Sequence, residues 1–356
     1  MKRRISISSL MIFVILLFCS GVAFGEKSKD VVIVHSYEKD HVCGQPQEDG
    51  VIRAIRESGL KIGEDVEIHS FFMDTKKTYT KPSEIQERGR LALEEVRKIN
   101  PVVVVTIDDN AARTVMLPLV SSDIQVVFCG MNGQPEDYDK KRHFMESRGK
   151  PGANVTGVYE KLQLVMSLGV MKGILPDLKK VIGVTDYSPT GNAITRQFEK
   201  EMKEQASPVG FEIVRVKDFD EYKKVIQSAN ENMQIGAIYP VALLLNTSDG
   251  KTYTAPDIFK WTIKNSKKPE IPLNYFFSKL GLFGGAAVDF KAMGYQAGSK
   301  VVKILKGSKA GALPIEDAYK YALVFNLARA KELGINIPFE IVGAADFVYE
   351  DILLVK

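Results

Sequence analysis

The residues with chemistry to offer collect where apolar runs of this chain end. His35, Ser36 and Tyr37 follow the run at 31–34, and Asp108, Asp109 and Asn110 follow the run at 102–107. Gly130, Met131 and Asn132 follow 125–129. Farther on, Asp186, Tyr187, Ser188, Thr190, Gly191 and Asn192 end one run, and Pro240 and Val241 end another. Asp289 precedes a helical stretch containing Met293 and Gly294. Each has a plainer role open to it: Asp109, Asn110 and Ser188 are good helix N-caps, worth about 1 kcal/mol apiece. Their recurrence at successive run ends points instead to a shared polar cleft.

That set lacks the marks of a catalyst. His35 has no partner at catalytic spacing and reads as a satisfied strand-end histidine. Ser36 has no G-x-S-x-G elbow around it. The glycines at 281–285 lack the Lys-Ser/Thr tail of a phosphate loop and read as a hinge or turn. No CxxC pair or zinc-ligand spacing is present, so neither metal nor cofactor is expected. Asp108 and Glu160 are where perturbed acid–base groups would sit if this were an extracytoplasmic enzyme. Asn154-Val155-Thr156 and Asn246-Thr247-Ser248 match the glycosylation sequon, a frequent chance match.

The elements that must position these residues alternate along the chain. Strands are expected at 31–34, 66–72, 102–107 and 125–129, with helices at 49–58 and 83–99 and another opening at Ala111. The pattern then repeats: strands at 180–185, 211–216 and 235–239, helices at 192–206 and 219–229. Continuous β-branched strands between helices imply parallel sheets covered on both faces. The expected fold is therefore α/β, with two doubly wound parallel-sheet lobes joined by a hinge. In such sheets ligands lie beyond the carboxyl ends of the strands, where the polar residues above fall.

The aperiodic stretch 134–150 and Pro151-Gly152-Ala153-Asn154 suggest the first connection between lobes. A return is expected near 281–285, because the amphipathic helix at 290–306 has no second-lobe strand left to follow. A third crossing is expected near 314–322. The expected division is 29–153 with 285–318 for the N-terminal lobe, and 154–284 with 319–356 for the C-terminal lobe.

The 356 residues suit two lobes, and 45% hydrophobic with 26% charged residues is ordinary globular composition. Lys2, Arg3 and Arg4 supply three of the four net positive charges, and no acid precedes Glu26. The rest is nearly neutral and carries no electrostatic footprint for nucleic acid. Those basic residues, the apolar run 10–18 and Ala23-Phe24-Gly25 read as a signal peptide over 1–25, cleaved after Gly25. A periplasmic or secreted protein follows. The run is short for a bilayer anchor. Cys19 offers a lipoprotein alternative, with Phe18 bulky where a small residue belongs. Cys43 and Cys129 remain, either as a disulfide or as two partly buried thiols.

Several stretches resemble a known family. They are Pro151-Gly152-Ala153-Asn154-Val155-Thr156-Gly157-Val158, Leu175-Pro176-Asp177-Leu178-Lys179-Lys180, Gly285-Ala286-Ala287-Val288-Asp289 through Gly294, Ile304-Leu305-Lys306-Gly307, and Asn326-Leu327-Ala328-Arg329-Ala330-Lys331-Glu332-Leu333-Gly334-Ile335. In order and spacing they resemble the ABC transporter substrate-binding proteins with the type I periplasmic-binding-protein fold. His35-Ser36-Tyr37 and the run from Asp108 to Ala112 are similar to the branch that also occurs as sensor modules. The resemblance implies that Ser36, Asp109, Asn110, Tyr187, Thr190, Asn192, Val241 and Asp289 surround a small ligand. It implies a solute receptor delivering to an ABC permease, or a sensory receptor presenting itself to a membrane signalling protein.

The helix opening at Asp108-Asp109-Asn110 departs from the Thr-Pro-Ala of amino-acid binders. A helix amino terminus favours an anion by ~0.3–1 kcal/mol. Like charges at ~4 Å cost about 4 kcal/mol at an effective dielectric near 20. The ligand is therefore expected to turn amine or hydroxyl groups to Asp109 and Asp289, amine-bearing or amino-acid-like, with Tyr37, Tyr159 and Tyr187 stacking on its apolar or cationic part.

Overall fold

The computed structural model describes residues 29–241, 244–247 and 249–355. The expected signal peptide over 1–25 and Cys19 fall outside the described residues. Five β-branched strands build the first sheet: β1 (Lys29–His35), β2 (Val66–Phe72), β3 (Val103–Ile107), β4 (Gln125–Met131) and β5 (Val155–Tyr159). A two-residue edge strand, β12 (Glu316–Asp317), completes it, in the order β12-β5-β4-β3-β1-β2 with every pairing parallel. Side chains alternate across a strand, so the two faces feed two cores. Val31, Ile33, Val103, Val105 and Val127 enter one; Val32, Val34, Val104, Val126 and Phe128 enter the other. Helix Pro82–Ile99 covers the second face through Ala92, Leu93 and Val96.

The first face is covered by helices Gly44–Glu57 and Phe290–Leu305, which pack against each other through glycines. A Cβ at Gly294 would lie 2.0 Å from the Gln47 carbonyl oxygen, and one at Gly50 would lie 2.3 Å from that of Lys291. Only glycine permits backbone to approach backbone so closely.

The second lobe holds β6 (Lys180–Thr185), β7 (Gly210–Arg215) and β8 (Ile235–Pro240), parallel in the order β7-β6-β8. A short extended segment continues the sheet. Ile271 donates to the Ile238 carbonyl at 2.9 Å, and Gly284 donates to that of Glu270 at 3.1 Å. Beyond it come β11 (Gly284–Val288), β13 (Tyr321–Asn326) and β14 (Phe347–Tyr349), with β11 antiparallel to β13. A hairpin of β9 (Leu244–Asn246) and β10 (Thr252–Thr254) projects beside β8. Buried Arg329 and Glu270 tie helix Leu327–Glu332 to this sheet through contacts of 2.6 and 3.1 Å.

The chain crosses between lobes at 160–163, at Asp289 and at 318–320. Two of these differ from expectation. β5 pairs with β4, so the first break follows Tyr159 rather than residue 153. β11 pairs with β13, so the return follows Val288 rather than residue 284. Of the glycines at 281–285 that suggested a connection, Gly281 serves a turn and Gly284 and Gly285 lie in β11. Gly281, at φ +135°, closes helix Tyr275–Leu280, and a Cβ at Gly284 would meet the Val324 carbonyl at 2.3 Å. At the first crossing the Gln197 side chain bridges the backbone. It accepts from Leu162 N–H at 2.6 Å and donates to the Glu160 carbonyl at 3.1 Å.

Candidate functional site

The loop after β1 reaches over the ends of its neighbours. Ser36 donates to the Ile107 carbonyl at 3.0 Å and accepts from Ala111 N–H at 2.8 Å. It thus satisfies a free donor of the helix that begins at Asp108, three residues earlier than expected. Asp109 and Asn110 consequently lie within the first turn, and neither caps it. His35 is fully buried, stacked on Phe72 and 3.0 Å from Glu48, as a structural strand-end histidine would be.

Asp108 sits at φ +74°, a left-handed conformation that costs a non-glycine residue about 1–3 kcal/mol. Its buried carboxylate accepts from Tyr37 O–H at 3.0 Å and pairs with Lys76 at 2.9 Å. His41 stacks on Tyr37 with ring centroids 4.3 Å apart. Burial, then the Asp108 charge, pushes the Tyr37 hydroxyl pKa well above its ordinary value.

Asp109, expected to face a ligand, turns into its own lobe. It accepts from Tyr138 O–H at 2.6 Å, Gly133 N–H at 3.0 Å and Asn132 N–H at 3.2 Å. Burial and then Asp108 nevertheless raise its pKa. Asn110 is likewise engaged, donating to Thr75 Oγ1 at 2.9 Å and accepting from Arg113. Tyr159 accepts from Gln134 and lies under the Arg148 guanidinium, 5.0 Å from its ring centroid. The ring is already stacked within its lobe.

Asn132 and Glu160 stand apart from these satisfied groups. Asn132 is 6% exposed and its Oδ1 has no hydrogen-bond partner. Glu160 is 2% exposed, and among the described residues no hydrogen bond ends on its carboxyl. Burial, followed by the charges of Asp108 and Asp109, holds that carboxyl well above the usual carboxylate range, and Lys76 offsets part of the shift. The Cys43 and Cys129 thiols, both free, are pushed up by burial and by Glu160.

The second-lobe residues form a separate group. Tyr187 is 52% exposed beneath Arg215, whose guanidinium lies 3.9 Å from the ring centroid. Asn192 donates to the Tyr187 carbonyl at 3.2 Å and accepts from Arg215. Thr190 is half-buried in the first turn of helix Pro189–Glu204, which Ser188 caps through Gly191 N–H. Val241 is buried just past β8, its N–H on the Val184 carbonyl at 2.8 Å. No hydrogen bond or ion pair among the described residues joins this group to the first-lobe group. Asp289, at the second crossing, caps helix Phe290–Leu305 through Ala292 N–H at 2.9 Å and lies 3.6 Å from Lys320. It too is already satisfied, contrary to the expectation for it. Asn274 approaches the first-lobe group from the second lobe, its amide 3.9 Å from the Cys43 sulfur.

Sequence reasoning passed over Lys76 and Arg215, and named Glu160 only as an acid–base group of a would-be enzyme, not among the ligand contacts. The strand-end rule would have included Glu160 had β5 been given to the first sheet. Arg215 closes β7, a strand expected one residue farther along, at 211–216. Lys76 lies in an aperiodic loop and left no signal. Among the described residues no cluster of His, Cys, Asp and Glu is arranged to hold a metal ion.

The profile of a family described as ABC transporter substrate binding protein matches residues 40–349. A tyrosine-binding protein of Clostridioides difficile (strain R20291) is 22% identical over 193 residues, 54% of this chain and 53% of that protein, so the match spans about half the relative's length. A Streptococcus pneumonia ABC domain in complex with L-Trp superposes with TM-score 0.68 at 20% identity, over 90% of this chain and 99% of that one. A ligand-free, open substrate binding protein with adhesive properties from Clostridium difficile does so with TM-score 0.68 at 17% identity, over 91% and 100%. At these identities the structural likeness speaks for the fold.

Proposed function

The chain belongs to the family of ABC transporter substrate-binding proteins, and on that premise we propose that it captures a small organic ligand between its lobes and presents the closed form to an ABC importer. The observation that carries this reading is the shutting-in of polar side chains at the carboxyl edge of the first sheet. Asp108, Asn132 and Glu160 are almost wholly buried although they lie in or beside loops. Ligands of open α/β sheets sit at that edge. Three chain crossings join the lobes, an arrangement suited to closure about a few connecting residues. The reading places the protein outside the cytoplasm, exported by its basic-then-apolar amino terminus. It assigns the chain no catalytic step.

Thermal-shift screening against amino acids, amines, sugars and aromatic carboxylates, followed by small-angle scattering with each binder, tests this. The expected result is a binder that raises the unfolding temperature and reduces the radius of gyration. A binder that causes no compaction, and whose affinity ignores Asn132→Ala and Asp108→Asn, overturns it.

A further inference from the structure

We propose that Glu160 and the amide oxygen of Asn132 receive a protonated amino group of the ligand, a deepening that rests on the binding reading above. The two residues close neighbouring strands: β5 ends at Tyr159 and β4 at Met131, and those two residues are partners in the sheet register. Asp108 ends β3 on the far side of β4. The carboxyl edge of three adjacent strands thus presents acceptors side by side.

Their accounts differ. Asp109 is consumed by Tyr138, Gly133 and Asn132 N–H, and Asp108 by Tyr37 and Lys76. Asn132 Oδ1 is buried with no donor, and among the described residues no hydrogen bond or ion pair ends on the Glu160 carboxyl, although both residues are more than nine-tenths buried. Buried acceptors in folded proteins are almost always satisfied. The three carboxyls share one ammonium, that of Lys76, so a Glu160 that keeps its proton in the empty site can give it up to an arriving cation, and the unmet chemistry at Asn132 Oδ1 is donation. A ligand carboxylate placed here would meet repulsion, and a hydroxyl would satisfy one acceptor while leaving the charge. An ammonium group answers both, with several N–H donors and a positive charge. Glu160 also sits on the first crossing, its carbonyl held by Gln197 of the second lobe. Neutralising it places the ligand's charge at the connection between lobes.

Calorimetry on the full mature chain tests this with two series. One is L-tyrosine, tyramine and 3-(4-hydroxyphenyl)propionate; the other is L-tryptophan, tryptamine and indole-3-propionate. The screening set above runs alongside. The expected result is that binders carry an amine, that the propionates fail, and that Glu160→Gln weakens the best binder about 10- to 100-fold. Should Glu160→Gln fail to fold, Asn132→Ala and the amine-deleted analogues on the wild-type chain decide the matter. Propionates or uncharged solutes that bind as well as amines, or a best binder indifferent to Glu160→Gln, overturn the amine assignment. If such binders compact the protein, the binding reading survives. A chain that binds no compound in any series overturns the binding reading and this inference with it.

Discussion

Adding one methyl group at Gly294 will destabilise the protein, although alanine is the better helix former. In a helix interior Gly→Ala is worth about 1 kcal/mol in favour of alanine. At Gly294 the new Cβ would stand 2.0 Å from the Gln47 oxygen, 2.6 Å from its Cα and 2.7 Å from its carbonyl carbon. All three are backbone atoms, so no side-chain rotation clears the clash. Helices Gly44–Glu57 and Phe290–Leu305 must instead part by about 1 Å, loosening the neighbouring contact of Gly298 with Val51 and Ala54. Overpacking of this kind costs about 1–3 kcal/mol and sometimes more. Set against the helix gain, a net loss of about 1 kcal/mol remains at the middle of that range, or roughly 2–4 °C in unfolding temperature for a lobe of this size. Gly169 in helix Leu164–Ile174 is the internal control, because its added Cβ would meet nothing within 4 Å. Gly169→Ala will raise stability by about 0.5–1 kcal/mol. Urea unfolding of both variants supplies the numbers. Two shifts of the same sign, or an unaltered Gly294→Ala midpoint, would refute the close helix contact.

Arg329→Met strands the fully buried Glu270 carboxylate that it now pairs at 2.6 and 3.1 Å. It will cost about 3–5 kcal/mol in thermal unfolding, and Glu270→Gln added to it will recover part of the loss. Glu160→Gln will stabilise the empty protein at neutral pH even as it weakens the binder. Its carboxyl pKa is raised in the fold, so above the ordinary carboxylate value the unfolded chain releases a proton that the folded chain keeps. Wild-type stability therefore falls with rising pH from that value up to the folded pKa. Unfolding measured across pH will show that slope shallower in the variant. Tyr138→Phe removes the 2.6 Å donor to half-buried Asp109 and will cost about 1–2 kcal/mol by urea unfolding, with the fold retained by circular dichroism.

The alternation of strands and helices was legible because its cause is local. Runs such as Val103–Ile107, buried along their whole length, declare a strand covered on both faces. Lobe ownership was harder to read, because pairing is decided by partners far along the chain. The glycine-rich beginnings of β5 and β11 look like connections and are strands. That error hid the place of Glu160 at the binding edge, one residue past a sheet edge assigned to the wrong lobe. Asp109 and Asp289 were read by residue type and position, and both point as helix geometry and Tyr138 direct them. What a carboxylate faces depends on its rotamer and on the tyrosine opposite, neither of which the local sequence states. Asp108, by contrast, does lie at the polar edge, with Lys76 arriving from a loop that carries no pattern.

The late arrival of helix Phe290–Leu305 governs how this molecule comes into being. Its partner helix and the strands beneath leave the ribosome early, yet the lid for their apolar side is supplied only after most of the other lobe has been made. A nascent fragment ending before residue 290 therefore carries Val31, Ile33, Val103 and Val105 on a face with half its covering absent. Such a chain stays loose until nearly complete, a state well suited to threading through a translocation pore. For the same reason a genetic cut at the first crossing yields no self-sufficient half; an autonomous first lobe requires grafting 290–318 directly onto the end of β5.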